Sequence, residues 1–261
     1  MKHLKYILAL SLLSLLASAC QKQETGACDC EGQPSGKKCK EIHYQGDVYI
    51  GYIEFLYNED GSLQQKALFS DQSVNKKSQY SYDAQGRLIK EEIRFGSGGV
   101  DQYWEYIYNE MDSLGRMAFF ENGRMISQTF YSYNNQGRLS LKEEYRDSVP
   151  FGSETFSYDQ TGKLWRFERF DGAGELREQR FFEYFSNGTE RISLYDQNRE
   201  YTGYIFIHRN EENLIRERKQ YDSKELLTGY LLNVISGRRI SRSTWYNAAG
   251  HPENRTLYLY Y

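Results

Sequence analysis

Apolar and polar positions alternate in short runs along this chain, and the runs stop at regular intervals. The stretch "YSYDAQGRLIKEEIRF" at 80–95 returns as "YSYNNQGRLSLKEEYR" at 131–146. Aromatic residues that stand just before turn signals fall at Tyr44, Tyr57, Phe69, Tyr82, Phe95, Tyr108, Phe120, Tyr133, Tyr145, Tyr158, Phe170, Phe182 and Tyr195. The series runs on through His208, Tyr221, Val234, Tyr246 and Tyr258, and every step is 12 or 13 residues. Period-two alternation over such short runs predicts half-buried strands, and recurrence at a fixed spacing predicts a repeat architecture. No long stretch after residue 20 carries the 3.6-residue period of a helix.

The segments between strands are written in turn chemistry. "YNEDGSL", "YDAQGRL", "YNNQGRL", "YDQTGKL" and "FDGAGEL" share an aromatic, an Asp, Asn or Gly, two variable residues, then Gly, a polar residue and Leu. "FDGAGEL" carries the Asp from the same pattern and "NEMDSLGR" at 109–116 reads as a turn holding extra residues. Asp and Asn bond their own backbone at a turn entrance, and Gly accepts the positive φ that a side chain resists. Subtracting about five turn residues from each period leaves about seven or eight, an ordinary strand. The expected fold is all-β: a long antiparallel meander of repeated β-hairpins, roughly seventeen strands of about 12–13 residues per strand plus turn. So many strands in one open sheet must curl, so the expectation is a twisted or coiled ribbon, with partial closure into a barrel-like shell as its variant. The closing "RTLYLYY" reads as a terminal strand that either caps the sheet or leaves an edge.

Composition agrees. Tyr numbers 24 against 3 Pro, and aromatics reach 16%, which suits pleated half-buried surfaces. Mean hydropathy is −0.78, which argues against a thick apolar core. The net charge of −3 gives no sign of an electrostatic nucleic-acid binder, and no nucleic-acid partner is expected.

The N-terminus stands apart. Lys2 and Lys5, the apolar "ILALSLLSLL" and the small-residue "ASAC" are the three parts of an export signal. The organisation expected is a signal peptide at 1–19, a tether with a Cys cluster at 20–41 and a repeat domain at 42–261. "LLASAC" resembles a bacterial lipobox, which implies lipidation of Cys20 and anchoring in the cell envelope as an outer-membrane lipoprotein. The following "QKQET" is similar to the export signal of surface-exposed Bacteroidetes lipoproteins. In an oxidising compartment two of Cys28, Cys30 and Cys39 can form a disulfide; a thiolate metal site with His43 is the weaker alternative, and no metal or cofactor is expected.

The phrase Y-D-x-x-G-R-L, best at Tyr82–Leu88, Tyr133–Leu139 and Tyr158–Leu164, resembles the YD (RHS-type) repeat of bacterial secreted proteins. More loosely it is similar to MORN-type hairpin repeats, some of which occur in antitoxin-like proteins.

Catalytic signals are sparse. Metal-protease and nucleophile-elbow spacings are absent, and adjacent carboxylates such as Glu91/Glu92 face opposite sides of a strand. His208 takes an aromatic slot, His251 a turn, and "GSGG" at 96–99 lacks the Lys of a phosphate loop. "DSL" at 112–114 and "DSV" at 147–149 resemble the Bacteroidetes O-glycosylation signal. The expected function is non-enzymatic: an anchored envelope protein whose sheet binds a glycan or protein ligand, with Trp104, Trp165 and Trp245 as stacking rings. An immunity protein that binds a toxin, and a hydrolase with an unrecognised site, are the rival expectations.

Overall fold

The structure, a computed structural model, describes residues 36–70, 73–96, 98–100 and 102–260. The signal peptide at 1–19, Cys20, Cys28 and Cys30 lie outside the described residues. Eighteen strands follow one another: β1 (Lys38–Gln45), β2 (Val48–Tyr57), β3 (Leu63–Ser70), β4 (Ser73–Tyr82), β5 (Leu88–Phe95), β6 (Gln102–Tyr108), β7 (Leu114–Glu121), β8 (Arg124–Tyr133) and β9 (Leu139–Arg146). The second half holds β10 (Val149–Tyr158), β11 (Leu164–Asp171), β12 (Leu176–Tyr184), β13 (Thr189–Tyr195), β14 (Tyr201–Arg209), β15 (Ile215–Asp222), β16 (Leu227–Ser236), β17 (Arg239–Asn247) and β18 (Pro252–Tyr260). β1 begins four residues inside the segment expected as tether.

Each strand pairs antiparallel with its sequence neighbours, and β1 pairs with both β2 and β18. The ring therefore closes, which corrects the expectation of an open coiled ribbon: "RTLYLYY" neither caps nor ends a sheet, because Tyr258 lies opposite Glu41 and Thr256 opposite His43. The physical reason is the accumulated twist and stagger of the strands, which bring the eighteenth beside the first. Following paired residues round the ring returns to β1 shifted by about eighteen positions, a strand tilt of about 35° and a backbone ring about 33 Å across if circular. Strands contact only their neighbours in the ring, and no large side chain is fully buried among the described residues. Among the described residues the wall is one layer thick, and buried apolar side chains gather only in small groups such as Ile192, Ile205 and Ile207.

The turns follow the chemistry read in the sequence. In the β4–β5 turn the Asp83 N–H donates to the Arg87 carbonyl and the Gly86 N–H to the Asp83 carbonyl, while Asp83 Oδ1 accepts from the Gln85 and Arg87 amides. The same bonds recur around Asn134, Asp159, Asp171, Asp196, Asp222 and Asn247. Position four of the motif lies in the left-handed region: Gly86 has φ 77°, and Glu225, its equivalent in the β15–β16 turn, has φ 62°. Residues 109–113 form this same five-residue turn with Asp112 in the glycine place, so "NEMDSLGR" holds no insertion.

Alternation along each strand divides the wall into two rows of side chains. One row carries Phe55, Ile93, Phe167, Ile192, Ile205 and Ile207, all no more than 9% exposed. It also carries the tyrosines whose phenols are most strongly desolvated, Tyr80 and Tyr106. This is the concave, inward row, where convergence crowds side chains. The outward row carries Lys77, Lys90, Glu92, Arg166, Glu168, Glu217 and Lys219 within the strands, with Arg94 near the end of β5, on both halves of the ring. Ion pairs stud it at Lys90–Glu92 (2.8 Å) and Lys219–Glu217 (3.0 Å). Stacked pairs such as Tyr103–Phe120 and Tyr204–Tyr221, each with centroids 4.6 Å apart, bridge neighbouring outward positions.

Candidate functional site: the inner wall

Turns and strand parity aim one set of the even-numbered strands' aromatic residues into the ring, in two tiers. The upper tier is a collar at one rim. Tyr57, Tyr82, Tyr108, Tyr133, Tyr158, Tyr184 and Tyr260 each donate a phenolic hydrogen bond to a carbonyl at the start of the strand before, at 2.8–2.9 Å. The acceptors include Leu63, Leu88, Leu114, Leu139 and Leu164, the leucines that close the turn motif. On β16 the Asn233 amide takes the same part toward Ile215. The 12–13-residue series therefore drifted at three places: the strand ends are Tyr184, Ser236 and Tyr260, each two residues beyond the Phe182, Val234 and Tyr258 of the series.

The lower tier sits two residues along on the same face: Phe55, Tyr80, Tyr106, Tyr131, Phe156 and Phe182. Tyr80 on β4 lies opposite Glu91 on β5, with Oη 3.3 Å from Glu91 Oε1. Glu91 in turn lies opposite Trp104 on β6, and Trp104 opposite Phe119 on β7, the rings 4.7 Å apart and inclined at 36°. Burial, followed by the Glu91 charge, pushes the Tyr80 phenol far above its ordinary value. The same two causes raise Tyr106 to about 12, and burial raises Tyr131.

Further round the inner wall the charges pair off. Lys142 reaches Glu154 at 3.1 Å, Arg169 bridges Glu154 and Glu178 at 3.3 and 3.2 Å, and Arg180 completes the chain on Glu178. Three cations and two carboxylates on four successive strands are thus linked in one chain of ion pairs, whereas Glu91 has no cationic partner among the described residues.

The three tryptophans are not brought together. Trp104 and Trp245 lie inward on β6 and β17, while Trp165 sits at the β10–β11 bulge, 40% exposed, with its ring 5.9 Å from outward-facing Phe181. Cys39 is 4% exposed and disulfide-bonded. No group of His, Cys, Asp or Glu among the described residues is arranged to hold a metal ion. His43 faces Thr256 Oγ1 at 3.2 Å, and His208 borders a shallow depression of about 540 Å³ with Glu217, Arg242 and Thr244. The Glu91 aromatic group was missed in the sequence. Its signal was the alternation itself: Tyr80, Glu91 and Trp104 fall on one face only when the register of three strands is known.

No family model matches the chain, and no curated protein matches its sequence. Among solved structures the fold is similar to a porin-like protein from Bacteroides uniformis, at 12% identity and a TM-score of 0.48, over 88% of this chain and 98% of that one. It is similar also to a porin-like protein from Bacteroides vulgatus, at 9% identity and a TM-score of 0.34, over 87% and 99%. These findings correct the resemblance to YD (RHS-type) and MORN repeats. Neither repeat family is matched, and the hairpins that suggested those repeats belong, among the described residues, to a single closed ring of eighteen strands.

Proposed function

We propose that the protein is a non-enzymatic envelope lipoprotein: a hollow β-barrel held at a membrane by lipidated Cys20, standing beside the bilayer rather than across it, and binding a ligand on its inner wall. The observation that carries this reading is the charged outward row. A membrane-spanning barrel presents an apolar band about 25 Å tall to lipid, and a Lys or Arg at the bilayer midplane costs about 2–4 kcal/mol. Lys77, Lys90, Arg166 and Lys219 all stand within the strands on the outward row. Their summed cost in lipid would match the whole stability of an ordinary domain, about 5–15 kcal/mol. Lipid chains on Cys20 supply the anchoring that such a wall cannot.

The test is fractionation. Cys20→Ala should move the protein from the membrane to the soluble fraction, with no detergent needed to keep the barrel monodisperse. A variant that still sediments with membranes and is extracted only by detergent would show a spanning barrel and sink the reading.

A further inference from the structure

We infer that the inner wall between β4 and β8 is a binding site for an organic ammonium group, of the kind carried by polyamines and other amine-bearing small molecules. The inference rests on the reading of the barrel as a hollow ligand-binding body and names the ligand class.

Three observations converge on this patch. Glu91 is a carboxylate on the concave face with no cation within ion-pair distance among the described residues; its one hydrogen bond comes from Tyr80 at 3.3 Å. Rings surround it. Tyr80 and Trp104 are its direct cross-strand neighbours, so their Cβ atoms lie about 4.5–5.5 Å from its own. Tyr106 is close enough for the Glu91 charge to raise its phenol, and Phe119 backs Trp104. Finally, the inward positions of β5 to β7 hold Glu91 and Glu121 but no Lys or Arg; Arg124, at the first position of β8 opposite Glu121, is paired with Asp147, and Glu121 is engaged by Gln102 at 2.7 Å.

The chemistry follows from those partners. An ammonium group placed against Glu91 would donate charge-assisted hydrogen bonds to the carboxylate while its flanks lay on aromatic faces, whose quadrupoles attract cations. The hydroxyls of Tyr106 and Tyr131 make no protein hydrogen bond among the described residues, so they remain as acceptors for further N–H donors. The contrast with Glu154 and Glu178 on β10 and β12, each held by two cations, marks Glu91 as a carboxylate that the wall leaves without one among the described residues. A neutral sugar would use the rings but has no need of an unmatched carboxylate.

The experiment uses the full chain with Trp165→Phe and Trp245→Phe, which leaves Trp104 as the fluorophore. Spermidine and tetramethylammonium should change its emission saturably, with affinity falling as ionic strength rises. Glu91→Gln, a near-isosteric change on a wet wall, should weaken spermidine binding about tenfold or more. Trp104→Phe, read by calorimetry, should weaken it less, since a ring remains. A wall that ignores millimolar spermidine, a Glu91→Gln variant that binds it unchanged, or a neutral oligosaccharide that binds equally well would each overturn the inference. Fractionation of Cys20→Ala reports on anchoring whatever the titration gives, so the two failures are distinguishable.

Discussion

The Tyr133 hydroxyl donates to the Leu114 carbonyl at 2.8 Å, joining the end of β8 to the start of β7. The two residues belong to the same turn motif in successive copies, so the bond is a repeat-to-repeat clasp. Removing it with Tyr133→Phe should cost about 1 kcal/mol, since the ring stays and one partly buried acceptor loses a partner. Tyr145→Phe, outward and without a protein partner for its hydroxyl among the described residues, should be close to neutral. Urea denaturation of both variants checks this; equal effects would mean that the clasp contributes nothing.

Position four of the turn motif offers a gain rather than a loss. Glu225 holds φ 62° and Arg199 φ 63°, where Gly86 and Gly137 stand in other copies. A side chain in the left-handed region costs about 1–2 kcal/mol, partly offset by the entropy that Gly loses on folding. Glu225→Gly should therefore stabilise by about 0.5–1 kcal/mol, and Gly137→Val should destabilise by at least as much. Thermal melts of the pair should move in opposite directions.

Acid should loosen the turns. The Thr161 hydroxyl and the Lys163 amide hold the Asp159 carboxyl below its ordinary value of 3.8, and the Glu175 amide with the Arg177 side chain does the same for Asp171. A lowered folded value means that the stabilisation is complete above the unfolded value and is lost as pH falls through the folded one. The urea midpoint should drop below about pH 4, and Asp159→Asn with Asp171→Asn should flatten that drop. Asn134 shows that an amide fits the same place, accepting from Gln136 and Arg138.

Alkali should act on the lower tier of tyrosines. Tyr106 is raised from 10.0 to about 12, and Tyr80 is raised further, both by burial first and by Glu91 second. For a raised phenol the stabilisation is intact below the unfolded value and fades as pH rises through the folded one. Stability should thus decline from about pH 10 upward, and Tyr106→Phe should delay the decline. Phenolate absorbance should show a late-titrating group of tyrosines that this variant diminishes.

Much of this was legible locally. The 12–13-residue step and the Asx–x–x–Gly turns are short-range signals, and they located strands and turns to within a residue or two at most places. Closure was not legible, because the bonds between β1 and β18 join residues such as Ile42 and Leu257 that no local motif connects. The drift at Phe182 passed unseen because a two-residue shift keeps the same face, so Phe182 and Tyr184 are equally good periodic aromatics. The Glu91 group failed for a related reason. Glu91 and Glu92 are neighbours in sequence, and only the pairings of Glu91 with Tyr80 and of Glu92 with Gln79 show which carboxylate turns inward. The tryptophans, chosen because exposed tryptophan rings more often mark contacts, scattered because residue type says nothing about angular position in a ring.

The odd–even regularity of the wall also bears on how such a molecule can change size. Its unit is a hairpin of about 25 residues, so duplicating one would add two strands and about 10 Å of girth. An even increment keeps every neighbour antiparallel and every alternate side chain in phase. A wider or narrower bore is therefore reachable in one genetic step without rewriting the lining, whereas an odd increment would set two parallel strands side by side at the seam.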